Sequence, residues 1–141
     1  MLCTYTSNDT GVALAVDAAI PFDTNAVVTG CTATHEPGSV AIKLNRPGFY
    51  QINFNADATA TTAAGIITVQ MERNGIDVIG AEASAFAAAV AEPVNLHFTF
   101  IIRVCPNCEQ FNANIPAYLT FINDGIAATY TEACVCVTKL A

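Results

Sequence analysis

The stretch that most restricts the fold runs from residue 45 to residue 57. Asn45-Arg-Pro-Gly48 has the composition of a turn and opens directly into a run with Tyr50, Ile52, Phe54 and Ala56 at every second position. Between them stand Gln51, Asn53, Asn55 and Asp57. A period of two belongs to an extended strand, whose successive side chains point to opposite faces. One face of this strand is therefore built for burial, and the chain must supply strands beside it and a layer over it.

The other apolar runs read as those strands. Residues 39–44 carry Val40, Ile42 and Leu44 on one side, and they meet the first strand across Asn45 to Gly48 as an expected antiparallel hairpin. Residues 12–22 alternate loosely, with Leu14 and Val16 on one side and Pro21 as a strand end. Residues 66–72 lead into Arg73-Asn74-Gly75, and Asn-Gly between apolar runs marks a tight hairpin because both residues tolerate positive φ. The longest alternating run places Val94, Leu96, Phe98, Phe100, Ile102 and Val104 on one face and His97 on the other. Residues 117–123 and 129–140 complete the set, separated by Asn123-Asp-Gly125. Residues 81–91 are rich in alanine, which suits a helix, yet their small side chains also suit a close-packed strand, and the β-rich surroundings favour strand. The expected fold class is all-β: a two-sheet jelly-roll sandwich of about eight to ten antiparallel strands. Residues 1–11 read as an N-terminal arm and 12–141 as the single jelly-roll domain.

Composition speaks to how such a domain lives. Of 141 residues, 53% are hydrophobic and only 12% charged, so a lone subunit would expose apolar patches of the kind that mark contact surfaces. Self-association follows as an expectation. The formal net charge of −7, with five Lys and Arg scattered singly, argues against nucleic acid and against an anionic membrane surface. No apolar run approaches the roughly 20 residues of a spanning helix, and the first residues lack the basic and apolar segments of a signal peptide.

Chemistry-bearing residues are few. Six cysteines stand at positions 3, 31, 105, 108, 134 and 136. Cys105 and Cys108 have metal-ligand spacing, while Cys134 and Cys136 project from one face of a strand, so four thiolates could hold zinc if the loop folded over that face. Structural disulfides and inert buried thiols are each favoured over a metal site, and Cys3 could pair with Cys31 or link subunits. Six cysteines suit an extracellular or virion setting better than the cytosol. His35 lies in a turn and His97 on a strand, with no Gly-x-Ser-x-Gly and no phosphate-binding glycine loop near them. No catalytic centre, cofactor or metal is expected, and the chain reads as a non-enzyme. Sugar binding would call for a surface aromatic in a concave polar site; Trp is absent, which leaves Phe111 and Tyr130 as candidates.

Three motifs carry a resemblance: residues 45–54, the stretch Val69-Gln-Met-Glu-Arg-Asn-Gly75, and Ala117-Tyr-Leu-Thr-Phe-Ile-Asn-Asp-Gly125 before a valine-rich last strand. Together they resemble the tumour necrosis factor-like jelly roll, also found in the globular head of complement C-one-q, and within it the bacterial and phage branch. That branch includes the heads of collagen-like spore-surface glycoproteins and small prophage fibre or decoration proteins, although this chain has no Gly-X-Y stalk. The resemblance implies a homotrimer on a phage or spore surface, structural or receptor-binding, with itself as first partner and a host-surface glycan or protein as second. A soluble lectin-like module is the rival reading. It further implies that the strands at 49–57, 117–123 and 129–140 share the inner, subunit-facing sheet. On that basis Gln51, Asn53, Asn55, Tyr118 and Ile122 are expected at the trimer interface, since residues 117–123 carry bulk on both faces.

Overall fold

The structure, a computed structural model, describes residues 1–5, 11–106 and 116–141. Eleven strands are present among them: β1 (Leu2–Tyr5), β2 (Val12–Leu14), β3 (Thr24–Val28), β4 (Ala33–His35), β5 (Ile42–Leu44), β6 (Gly48–Ala60), β7 (Gly65–Arg73), β8 (Ile76–Ala87), β9 (Pro93–Val104), β10 (Ala117–Asn123) and β11 (Ala128–Lys139). They form two antiparallel sheets, a six-stranded one ordered β3-β1-β11-β6-β9 with β2 attached to β11, and a five-stranded one ordered β4-β5-β10-β7-β8. The fold is a jelly-roll sandwich, with one strand more than the upper end of the expected count.

Alternation does its work between the layers. The inward side chains of β6 (Tyr50, Ile52, Phe54, Ala56) and of β10 (Leu119, Phe121) are buried. The inward side of β9 is buried at Leu96, Ile102 and Val104 and half-buried at Phe98 and Phe100. Aromatic rings stitch the sheets together. Phe98 of β9 stacks on Phe54 of β6 at 5.4 Å, Phe54 stacks on Phe121 of β10 at 5.2 Å, and Phe121 meets Phe22 edge-on at 5.9 Å. Each such pair adds about 0.5–1.5 kcal/mol beyond the area it buries.

The entry to β6 is explained by two close contacts. At Gly48 the backbone has φ 143°, and a side chain there would run into the Ala141 carbonyl and the Lys139 side chain. The chain end is held against this point, with the Phe49 N–H donating to Ala141 at 3.0 Å and the Leu140 N–H donating to Phe49 at 2.8 Å. Two residues on, the buried Tyr50 hydroxyl donates to the Arg46 carbonyl at 2.6 Å and pins the preceding turn. The Pro-Gly-aromatic-Tyr order thus provides a rigid entry, room for a neighbouring backbone, and a latch.

That entry is not the hairpin expected. β5 pairs with β4 and β10, whereas β6 pairs with β11 and β9, so residues 45–47 carry the chain from one sheet to the other. The expectation that residues 117–123 share a sheet with 49–57 is also corrected: β10 lies in the five-stranded sheet. The Asn74-Gly75 hairpin is present, with φ 51° and 79° at its two central residues, as a type I′ turn requires. Residues 81–87 are strand, and Ala81 and Ala87 are buried in the core. Of residues 12–22 only the first three form a strand, while Ile20 and Phe22 are core residues on a loop.

The first residues join the six-stranded sheet. β1 inserts between β3 and β11, and Cys3 lies directly opposite Cys136, to which it is disulfide-bonded across 133 residues of sequence.

Two buried amides organise what the alternation leaves irregular. Asn123, fully buried, donates to the carbonyls of Ile126 (2.9 Å), Ala15 (3.2 Å) and Leu14 (3.4 Å), and its oxygen accepts from the Tyr130 hydroxyl at 2.8 Å. Gln70 does the same for an irregularity in β8, where residues 78–81 stand opposite Met71 alone. Its amide donates to Met71 and Val78 at 2.9 Å and to Ala81 at 3.3 Å, filling the gap with hydrogen bonds that a regular ladder would have made.

Candidate functional site

The outer face of the six-stranded sheet is built from the polar half of β6 and its neighbours. Register sets Gln51 beside Ile101 and Thr138, Asn53 beside Thr99 and Cys136, and Asn55 beside His97 and Cys134. These side chains bond sideways. Thr99 donates to the Asn53 oxygen at 2.7 Å, and Gln51 reaches the same oxygen at 3.4 Å. Asn95 donates to Asp57 at 2.9 Å and to Asn55 at 3.1 Å, and the His97 ring contacts Asn95 at 3.2 Å. The face is a lattice of amides and hydroxyls, joined by the Asp57 carboxylate, whose hydrogen bonds are largely met within the sheet. His97 sits here, exposed, as part of that lattice.

A one-residue bulge keeps β11 in phase with this face. Thr131 pairs with Asp57 and Cys134 with Asn55, and Glu132 takes φ 51° to absorb the extra residue. The shift lets Tyr130 on one side of the bulge and Ala133, Val135 and Val137 on the other all point into the core.

Sulfur chemistry on this face resolves differently from the four-thiol arrangement. Cys136 is bonded to Cys3, and Cys105 is also disulfide-bonded, so neither thiol is available as a ligand. Cys108 lies outside the described residues. Cys134 is a free, half-buried thiol that burial makes harder to ionise. Cys31, considered as a partner for Cys3, is free and exposed. Among the described residues no group of three or more His, Cys, Asp or Glu is arranged to hold a metal ion.

The opposite side of the molecule differs. On β7 and β8 the cross-strand pair Ile66 and Phe86 points outward, 55% and 67% exposed, and Ile79 stands at the top of the β8 irregularity with 92% of its surface open. β8 and β9 close one flank of the sandwich, so this apolar ridge runs along an edge. Tyr118 and Ile122 lie on the same outer face further in, on β10, away from Gln51, Asn53 and Asn55 by the full thickness of the sandwich. Glu72, also outward, faces Asp77 across the strands, and burial together with that carboxylate raises its pKa.

His35 ends β4, and both ring nitrogens are engaged, with Asn25 at 2.7 Å and the Ser39 carbonyl at 2.9 Å. It is a strut between loops. Tyr130, a candidate sugar platform by composition, is fully buried, and Phe111 lies outside the described residues. Among the described residues no helix is long and apolar enough to cross a membrane.

In fold the sandwich is a tumour necrosis factor-like jelly roll, as its likeness to solved structures shows. Similar structures cover almost the whole chain: Eiger TNF from S. frugiperda, with TM-score 0.71 and 14% identity over 100% of this chain and 92% of the other; murine APRIL, 0.70 and 9% over 99% and 97%; and the PRD1 vertex protein P5, 0.57 and 17% over 99% and 96%. No protein-family model matches the sequence, and no curated protein matches it. The likeness is one of fold.

Proposed function

We propose that this chain is a non-enzymatic, homotrimeric head protein on the surface of a phage particle, with a structural or receptor-binding role. The observation that carries the reading is the match of 99% of the chain to a phage vertex protein at 17% identity. A bacterial spore surface is the other extracellular setting compatible with the fold.

The arrangement of surfaces supports assembly as a closed ring. One flank of each subunit presents an apolar edge at Ile79, Phe86 and Ile66, and the opposite sheet presents a more polar face in which Ile101 and Phe49 are also exposed. Two unlike surfaces on one subunit are what a head-to-tail, heterologous contact uses, and such contacts close into rings when the rotation between neighbours closes. In our proposal the ridge of one subunit rests against the face bearing Gln51, Asn53 and Asn55 of the next. Tyr118 and Ile122, expected at the interface because residues 117–123 carry bulk on both faces, lie on the other sheet, and this arrangement does not use them.

Native mass spectrometry tests this directly. Three times the chain mass under native conditions, falling to one under non-reducing denaturing conditions, is the expected result. Asn53→Arg, which puts a charge at the centre of the polar face, should shift the native species to monomer. A wild-type chain that stays monomeric at high concentration would overturn the proposal.

A further inference from the structure

The outer face of the five-stranded sheet carries a half-open groove of about 470 Å³ at the β4-β5-β10 side. Its floor is one cross-strand row, since Thr34 pairs with Lys43 and Lys43 with Tyr118. The wall is the turn after β4, which contributes Glu36 and Ser39 and is braced from behind by His35. The volume falls in the range of roughly 300–1,000 Å³ typical of small-molecule sites.

The chemistry of the groove is specific. Tyr118 is 42% exposed, and its side chain has an apolar face and a polar tip. Lys43 borders that ring, its ammonium 6.0 Å from the centroid, at the outer limit of a cation–π contact. Among the described residues no hydrogen bond or ion pair engages the Lys43 ammonium or the Glu36 carboxylate. Three donors and two acceptor oxygens therefore lie beside an aromatic face, with the Thr34 hydroxyl, which accepts from Asn45, and the Ser39 hydroxyl, which donates to the Ala41 carbonyl, around them.

We propose that this groove is a saccharide-binding site that takes a neutral pyranose. The C–H face of the sugar lies on Tyr118, Lys43 donates to ring hydroxyl oxygens, and Glu36 accepts from hydroxyl protons. Lys43 and Glu36 offset each other, and the chain as a whole carries −7, so sulfated or polyuronic chains are disfavoured. All the groups belong to one subunit, so the site does not depend on assembly. It also meets the requirement of a surface aromatic in a concave polar site, at a residue that composition alone assigned elsewhere.

Saturation-transfer difference NMR on the intact chain tests the site. The probes are methyl glycosides of glucose, galactose, mannose and N-acetylglucosamine, with methyl glucuronide and inorganic phosphate as the anionic arm. Transfer to the ring protons of at least one neutral glycoside is expected, unchanged by added salt. Tyr118→Ala should weaken that binding about tenfold or more. Tyr118→Phe, which keeps the ring, should stay within about threefold, and Phe49→Ala on the opposite sheet should have no effect. Three results would overturn the proposal: no transfer to any neutral glycoside, transfer that survives Tyr118→Ala in a folded protein, or a response confined to glucuronide and phosphate that Lys43→Met and salt abolish.

Discussion

On the outer face of the six-stranded sheet the polar side chains of β6 and β9 are bonded to one another, whereas the outer ridge of β7 and β8 carries aliphatic and aromatic side chains with nothing over them. Both faces are made of antiparallel strands packed on the same core. The amide lattice has few hydrogen bonds left to offer, so a neighbour meeting it gains chiefly from shape and from water released. The ridge gains from any cover at all, at roughly 25 cal/mol for each Å² of apolar surface removed from water. Assembly energy would then reside in the ridge, and orientation in the lattice.

The core shared by both faces should show the largest response. Phe54 touches rings from both sheets, and Phe54→Ala should cost about 3–5 kcal/mol in denaturant unfolding, lowering the stability of both layers together. Next comes a change confined to one sheet. The double variant Cys3→Ser, Cys136→Ser removes a staple within the six-stranded sheet, and about 2–4 kcal/mol of stability should be lost. Reduction of the wild-type protein also opens the disulfide at Cys105, so it should shift the midpoint at least as far.

Contrast between the faces is sharpened by Ile79→Asp with Phe86→Asp. Both side chains are exposed, so the monomer should unfold as before, while the native mass distribution should move to monomer by about tenfold or more in affinity. A smaller effect is expected from Tyr130→Phe. It leaves the buried Asn123 oxygen without its 2.8 Å hydroxyl donor, at a cost of about 1–2 kcal/mol in thermal or chemical unfolding.

The smallest effect is in pH. The amides of the polar face do not titrate, but Glu72 on the other face has its pKa raised above the ordinary 4.5 by burial and by Asp77. A carboxyl whose folded pKa is raised holds its proton more tightly when folded. Its contribution is most favourable at or below 4.5 and declines as pH rises through the raised value. Glu72→Gln should therefore gain thermal stability relative to wild type across that window and match it more closely in acid.

How legible this was in the chain depends on whether a feature is local. β6, β9 and β10 announce themselves by alternation, and Asn74-Gly75 by its need for positive φ, because these are properties of neighbouring residues. The turn at 45–48 shows the limit: its composition signals a change of direction, and the choice between folding back and crossing to the other sheet is made by what later packs against Gly48 and Tyr50. Pairing of Cys3 with Cys136 is likewise set by strand order, which spacing does not encode. The bulge at Glu132 was hidden in a run that reads as smooth alternation. Gln70 and Asn123 read as ordinary polar positions, although each is a buried bridge between backbone groups. Tyr118 was marked by its bulk, but its surroundings come from β4 and β5, which lie far away in sequence.

The disulfide row also has a meaning in time. β6 has β9 on one side and β11 on the other, and β11 in turn is covered by β1. During synthesis β1 emerges well before its neighbour β11, with β2 to β10 between them, so this sheet stays open at its centre until β11 is available. Long-range pairing of this kind folds slowly and leaves strand edges exposed to other chains meanwhile. The native cross-strand row that holds Cys3 against Cys136 exists only once that gap has closed. Appearance of this crosslink, followed by thiol trapping, would serve as a clock for completion of the fold.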